Sequence, residues 1–377
     1  MADWSELPAD VLEHLIGFLP IQDYHRFSAV CRYWGMVAKE RRHSPAQQIP
    51  WLAMGELEDT KKHKFYDLLE NRHYYLDVPE LSSTVLCGSS YGWLFTLDRK
   101  LNFHLVHPLT GECYDLPRPP PFYEGHVERE IYLEAEELQH FLVIKAILDY
   151  DPRTKSDFTA LILYGAYYTP AFWRVGNTIW TTITGISYVP DDITFFEGKF
   201  YIVGTPFTNS YSEFYTFEVG TEPKATKLEL RVPCRGDPKY IIEDMCHNFT
   251  VNYLVVFGGK LLLVERFLEV SERRLTTEFV LHELDLEGNN YSTCQHINGC
   301  TIFLGASDSV VISPSHFQNC IKDAIYFTDL ASNFFSELYG AEDLGIFDMI
   351  GKSITPYYPC DVFHHALADP IWFTPNP

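Results

Sequence analysis

The stretch Glu197-Gly198-Lys199-Phe200-Tyr201-Ile202-Val203 decides the fold that the sequence predicts. A glycine-bearing turn precedes a run of aromatic and β-branched residues, which is typical of a β-strand that leaves a tight turn. Similar units stand at residues 91–95 and 258–264, and a further strand of this kind spans Ala324 to Phe327. A fifth unit combines residues 141–148 with 158–164. The units lie roughly 50 to 64 residues apart, which is close to the kelch spacing.

Each unit continues into a further turn and strand. His107-Pro108-Leu109-Thr110-Gly111, for example, separates one apolar run from the next at Cys113 to Leu116. Sheets of three or four antiparallel strands repeated around a ring form a β-propeller, so we expect a mainly β protein with five or six blades over residues 81–377. Two tandem β-sandwiches are the alternative, but they would not require the recurrence.

The first 44 residues have a helical pattern instead, since apolar residues recur there at three- and four-residue spacing and form one stripe: Val11, Leu12, Leu15, Ile16 and Leu19. Pro8 suits the first turn of a helix, Pro20 ends that helix, and Asp23 caps a second one. A third helix is predicted from Arg32 to Arg42. Three short helices cannot bury much apolar surface alone, so the pattern indicates a helical partner. Residues 45–80 are predicted to be a connector, with Lys61-Lys62-His63-Lys64 as a solvent-exposed charged face.

Charge and cysteine usage narrow the function classes. The formal net charge is −22, of which −21 lies beyond residue 50. This field repels nucleic acid and anionic membranes but permits a protein partner with a basic surface. Nine cysteines include no Cys-x-x-Cys pair. Cys294, His296 and Cys300 match no common zinc spacing, so no metal is expected.

Three stretches are candidates for chemistry or binding. Residues 88–92 satisfy Gly-x-Ser-x-Gly, but a strand follows the serine where a nucleophile elbow needs a helix. The acidic residues Asp191-Asp192 and the acidic run at 134–137 are interpreted as a turn and a solvated face rather than as paired catalytic carboxylates. The aromatic stretch from Tyr164 to Trp173 is interpreted as blade packing, with binding anchors as the alternative.

The N-terminal motif resembles an F-box. The family runs Leu-Pro-x-acid-apolar-Leu, then Leu-Pro-x-x-Asp, then Val-Cys-Arg-x-Trp, and this chain has those landmarks at residues 7–12, 19–23 and 30–34. The resemblance implies a three-helix module that binds a Skp-type adaptor and, through it, the cullin of an SCF ubiquitin ligase. The predicted adaptor contacts are apolar or sulfur-bearing: Leu7, Pro8, Leu12, Ile16, Leu19, Val30, Cys31 and Trp34.

Residues 48–377 resemble the KIB-type β-propeller family of plants. The resemblance rests on Gly88 to Leu94, on Phe303 to Ser309 and on Pro370 to Pro375, together with the turn at residues 107–111. His107 departs from the family, which usually has Asn before Pro-Leu-Thr. The last strand, Ile371 to Thr374, is expected to close the ring near the blade that contains Trp93.

Together these patterns predict a substrate-recognition subunit of an SCF ligase in the cytoplasm or nucleus. We expect no catalytic residue and no cofactor in this chain, because it would act by bringing a protein substrate near the charged ubiquitin carrier. A binding or sequestering module that acts without ubiquitin is one alternative. A propeller hydrolase is another, and it would need acidic residues that converge at the central channel.

Overall fold

The computed structural model describes most of the chain. The ranges are 4–16, 19, 21–40, 49–56, 62–120, 142–165, 167–206, 211–220, 222–234, 237–238, 248–270, 274–313, 320–328, 343–356 and 370–376. The helices among them are the 3-10 turns Trp4–Glu6 and Pro79–Leu81 and the α-helices α1 (Ala9–Ile16), α2 (Ile21–Ser28) and α3 (Arg32–Glu40).

The three α-helices share a small apolar core. Its buried members are Leu12, Ile16, Phe27, Val37 and Ala38. Pro8 begins the first turn as predicted, because its carbonyl accepts the Leu12 N–H at 3.1 Å. A Cβ atom at Gly35 would lie 2.8 Å from the Ser28 carbonyl oxygen, so the close approach of α3 to α2 requires glycine.

Blades 1 and 2 are four-stranded sheets. Blade 1 combines the C-terminal strand with three early strands: β26 (Ile371–Phe373), β1 (Trp51–Glu56), β2 (His63–Asp67) and β3 (Arg72–Leu76). Blade 2 contains four consecutive strands: β4 (Thr84–Ser90), β5 (Trp93–Asp98), β6 (Phe103–His107) and β7 (Glu112–Leu116).

Blades 3 and 4 have the same order of consecutive antiparallel strands. Blade 3 consists of β8 (Val143–Leu148), β9 (Thr159–Tyr164), β10 (Thr169–Arg174) and β11 (Thr181–Thr182). Blade 4 consists of β12 (Asp192–Phe196), β13 (Lys199–Gly204), β14 (Tyr211–Phe217) and β15 (Thr226–Pro233).

Blades 5 and 6 have five strands each, and each includes one parallel pair. Blade 5 consists of β16 (Asp237–Pro238), β17 (Asn248–Phe257), β18 (Lys260–Val270), β19 (Arg274–Asp285) and β20 (Asn290–Cys294). Blade 6 has the order β22 (Val310–Ile312), β21 (Thr301–Leu304), β23 (Ala324–Phe327), β24 (Gly345–Asp348) and β25 (Ser353–Pro356).

One inner strand of each of the six sheets packs around a common axis. β26 contacts β4, and the series continues through β8, β12, β17 and β22. Apolar cores fill the spaces between neighbouring sheets, with Phe and Trp as the largest fully buried apolar side chains. A six-bladed propeller is therefore the fold, which confirms the mainly β architecture and settles the blade number at six.

The C-terminal strand closes the ring. Trp51 pairs with Phe373, and the Trp372 indole N–H donates to the Leu304 carbonyl of blade 6 at 2.8 Å. On the other side, the Asn376 side chain donates to the Tyr91 carbonyl of blade 2 at 3.1 Å. The expected position of the last strand, next to the blade of Trp93, is confirmed.

The connector prediction for residues 45–80 is corrected, because β1, β2 and β3 are blade strands. Lys61 lies outside the described residues and Lys62 is exposed, but His63 and Lys64 are buried in β2. The charged residue types did not indicate a strand here, because a lysine can bury its methylene stem along apolar surface. The other domain boundaries stay predictions.

Candidate functional site

The three-helix module exposes large apolar side chains. We call this set the helical surface: Trp4, Val11, Leu15, Val30, Tyr33 and Met36. Val11 and Leu15 lie one turn apart on α1, while Tyr33 and Met36 share one side of α3. Val30 is 58% exposed and precedes α3. So many exposed apolar groups on about 40 residues are typical of a protein-binding face.

The predicted adaptor contacts divide between this surface and the core. Leu12 and Ile16 are fully buried and hold the helices together. The side chains of Leu7, Leu19 and Trp34 pack partly buried against the same core.

The remaining predicted contacts lie nearer to solvent. Pro8 and Val30 are exposed, and Cys31 is half-buried. The Cys31 sulfur accepts the Trp34 backbone N–H at 3.5 Å, and the Trp34 indole N–H donates to the Trp4 carbonyl at 3.1 Å. Cys31 therefore caps the N-terminus of α3, and Trp34 holds the 3-10 turn Trp4–Glu6 against that helix.

Sequence reasoning missed most of the helical surface. Val11 and Leu15 belong to the apolar stripe of α1, yet they point outward while Leu12 and Ile16 point inward. Tyr33 and Met36 are not among the residues that define the F-box motif. Their spacing of three residues on a helix was the signal that could have found them.

The second candidate site is the axis of the propeller, where polar side chains from several blades meet. We call Ser90, Lys145, Asp192, Asn252 and Asp308 the axial cluster. Lys145 of β8 forms an ion pair with Asp192 of β12, and both are almost fully buried.

Each carboxylate residue of the axial cluster also forms hydrogen bonds to another blade. An Asp192 oxygen accepts the Leu254 N–H of β17 at 2.7 Å. The Ser90 hydroxyl of β4 donates to Asp308 at 3.3 Å. Asp308 also donates its own N–H to the Ser89 carbonyl at 3.1 Å.

The adjacent Asp191 belongs to the same polar region. It accepts the Asn252 side-chain N–H at 2.7 Å, and the same amide group donates to Thr205 at 3.0 Å. The interpretation of Asp191-Asp192 as a turn is therefore wrong. Asp192 begins the inner strand β12 directly after Asp191, and only the assembled ring reveals that this position faces the axis.

Hydrogen bonds join the axial cluster across blades, although burial disfavours the ionised form of its carboxyl groups. Burial raises the pKa of Asp192, against the effect of the neighbouring Lys145 ammonium. Burial also raises the pKa of Asp308 to about 6, with Lys145 opposing and Asp192 adding to the shift. Hydrogen bonds from two other blades and an ion pair from a third hold these carboxylates, so the cluster links the sheets at the axis.

The raised pKa of Asp308 makes a testable prediction. The folded protein binds this proton more tightly than the unfolded chain, whose pKa is near 3.8. The contribution to stability is therefore present below about pH 4 and is lost as the pH rises through 6. We expect the Tm of Asp308→Asn, measured by thermal unfolding, to rise relative to that of the unsubstituted chain as the pH increases from 4 to 6.5. Above pH 6.5 this Tm difference should stay constant.

Asp157→Asn is the control for this pH series. Arg174 lowers the pKa of the exposed Asp157 carboxyl, so its contribution has the opposite sign and is lost as the pH falls. A Tm difference for Asp308→Asn that does not change with pH would contradict the assignment.

Where the structure describes them, the other catalytic and metal candidates belong to strands, turns and apolar packing. The Gly-x-Ser-x-Gly stretch ends β4 at Ser90, and the turn Tyr91-Gly92 leads into β5 rather than into a helix, so the turn interpretation is confirmed. The acidic run at 134–137 lies outside the described residues. Cys294 and Cys300 pack into the apolar core between blades 5 and 6, where burial raises the pKa of both thiols.

The aromatic stretch and the unusual histidine both serve the blades. Tyr168 and Trp173 are buried in blade 3, which confirms the packing interpretation, while Tyr167 stays 45% exposed. The His107 ring is buried, and its Nδ1 accepts the Thr110 N–H at 3.2 Å. Histidine thus holds the turn as the family's asparagine would.

No helix in the described part of the chain is long and apolar enough to cross a membrane.

Comparison with known proteins gives two matches along the chain. Residues 4–43 match the F-box domain, and residues 65–348 match the KIB1-4 beta-propeller.

Two similar plant proteins align with most of the chain. The chain is 23% identical to the putative F-box protein At5g55150 of Arabidopsis thaliana, over 100% of this chain and 98% of that protein. It is 27% identical to the F-box/kelch-repeat protein At1g57790 of the same plant, over 88% of this chain and 84% of that protein. With an F-box at its N-terminus and a six-bladed ring behind it, the chain belongs to the KIB1-4 β-propeller family.

Proposed function

We propose that this chain is the substrate-recognition subunit of an SCF ubiquitin ligase. Its helical surface binds a Skp-type adaptor, which links it to a cullin, and its propeller binds a protein substrate. The chain makes and breaks no bond itself. It raises the effective concentration of substrate lysines near the charged ubiquitin carrier.

The helical surface is the observation that carries this proposal. Five side chains bury the core of the module, and six large apolar side chains remain exposed beside it. An F-box match covers the same residues. Burying such a surface against helices of a partner would supply the apolar area that the module lacks.

The propeller is a rigid platform for the second partner. The axial cluster and the closing strand β26 fix six sheets relative to one another, so the loops between strands are presented on a stable ring. The net charge of −21 beyond residue 50 favours a substrate with a basic surface.

A ubiquitin-independent binding module is the alternative. It would use the same propeller but would not need the helical surface. Proximity labelling in plant cells distinguishes the two functions when the full chain is compared with its Val30→Glu, Met36→Glu variant. We expect the variant to lose adaptor and cullin while it keeps the remaining partners. Equal labelling of adaptor by both proteins would contradict the proposal.

A further inference from the structure

The outer edge of blade 2 brings together three side chains of types that ligate metals. His104 lies on β6, and Cys113 and Asp115 lie on β7. Nitrogen, sulfur and oxygen ligand atoms from these residues all lie within 4.8 Å of one another.

The register of the two strands places these side chains on one face. His104 pairs directly with Asp115, and Cys113 precedes Asp115 by two residues. Residues two apart on a strand point to the same face, and directly opposed residues have neighbouring Cβ atoms. The pairing of β6 with β7 thus places the three side chains near one another without a bound ion. Cys113 and Asp115 are exposed, so an ion can reach them from solvent.

The local charges favour a cation. The His104 Nδ1 and an Asp115 oxygen are 2.8 Å apart, which orients the ring and the carboxylate toward each other. The negative charges of Asp115 and Glu80 lie near the Cys113 sulfur. These two carboxylates attract a divalent cation, whose charge would stabilise a thiolate at Cys113.

We propose that His104, Cys113 and Asp115 form a binding site for a divalent transition-metal ion of the zinc class. Imidazole, thiolate and carboxylate are the ligands that zinc takes in proteins, and Glu80 or a water molecule would complete four-coordination. The bound ion would clasp the outermost strand of blade 2 to its neighbour. The zinc spacings known from sequence motifs do not predict this site, because its ligands come from two strands and include no Cys-x-x-Cys pair.

Cobalt is the probe for the test, because a thiolate bound to Co²⁺ gives a charge-transfer band. The tag-free, reduced full chain is titrated with Co²⁺, and we expect one equivalent to produce the band and Zn²⁺ to abolish it by displacement. Cys113→Ser should remove the band. His104→Gln should weaken Co²⁺ binding at least about tenfold, the loss of one ligand.

Cys294→Ser is the matched control. Cys294 also lies on an outermost strand, β20 of blade 5, opposite an apolar residue. This variant should keep the band, and Zn²⁺ should raise the Tm of the unsubstituted chain and of this control but not of Cys113→Ser. Equal Tm values of all variants in chelator establish that they fold. An absent band, or one that survives Cys113→Ser, would overturn the site.

Discussion

Val30→Glu combined with Met36→Glu is expected to weaken binding of a purified Skp-type adaptor at least about 100-fold, which corresponds to roughly 2.7 kcal/mol. Both side chains are largely exposed, so the substitutions leave the helical core intact. In the complex they would place two unpaired carboxylates in an apolar interface, where desolvation is costly. Calorimetric titration measures the loss, and circular dichroism establishes that the helices remain.

Two matched variants separate binding from folding. Ile179→Glu with Ile350→Glu changes two apolar residues of the propeller that are even more exposed than Val30 and Met36, and it should leave adaptor affinity unchanged. Leu12→Ala removes a fully buried side chain and should instead destabilise the helical module, by about 2–5 kcal/mol. Undiminished affinity of the Val30, Met36 variant would show that the adaptor does not use the helical surface.

The second large effect is expected at the axis of the propeller. Lys145→Met removes the cation from a buried ion pair and leaves Asp192 uncompensated. Breaking one partner of such a pair costs about 3–5 kcal/mol, so the Tm of the propeller should fall by roughly 5–15 °C at pH 7.5. The deficit should shrink toward lower pH, because the buried Asp192 then takes up a proton.

A double variant and a surface pair test the cause of this effect. Lys145→Met with Asp192→Asn removes both charges but keeps an oxygen that can accept the Leu254 N–H, so it should recover most of the lost stability. Lys199→Met breaks an exposed ion pair with Glu218 and should cost less than about 1 kcal/mol. Equal losses for Lys145→Met and Lys199→Met would contradict a bracing role of the axial cluster.

Local turn chemistry explains why much of the propeller was predictable. Glu197 and Gly198 both have positive φ angles, at 47° and 83°, and join β12 to β13. A two-residue turn of this type matches the twist of paired strands, and glycine adopts it without strain. The sequence therefore marks this hairpin within a few residues. The same signal stands at Tyr91-Gly92 and at Gly258-Gly259.

Blade 1 and the axial cluster were not predictable in the same way. Blade 1 pairs Trp51 with Phe373, and no local pattern connects two strands from opposite ends of the chain. Asp192 has the sequence context of a turn, and only ring assembly brings Lys145 beside it. For α1, apolar spacing predicted the helix, but it could not tell the buried Leu12 from the exposed Val11, because both lie within one broad stripe.

The mass of the complex in solution tests most directly whether the helical surface binds a Skp-type adaptor. Size-exclusion chromatography with light scattering is applied to the purified full chain mixed with an equimolar Skp-type adaptor at micromolar concentration. We predict one peak with the summed mass of a 1:1 complex for the unsubstituted chain, and two separate peaks for the Val30→Glu, Met36→Glu variant. Separate elution of the unsubstituted chain and the adaptor would contradict the central claim that the helical surface binds this partner.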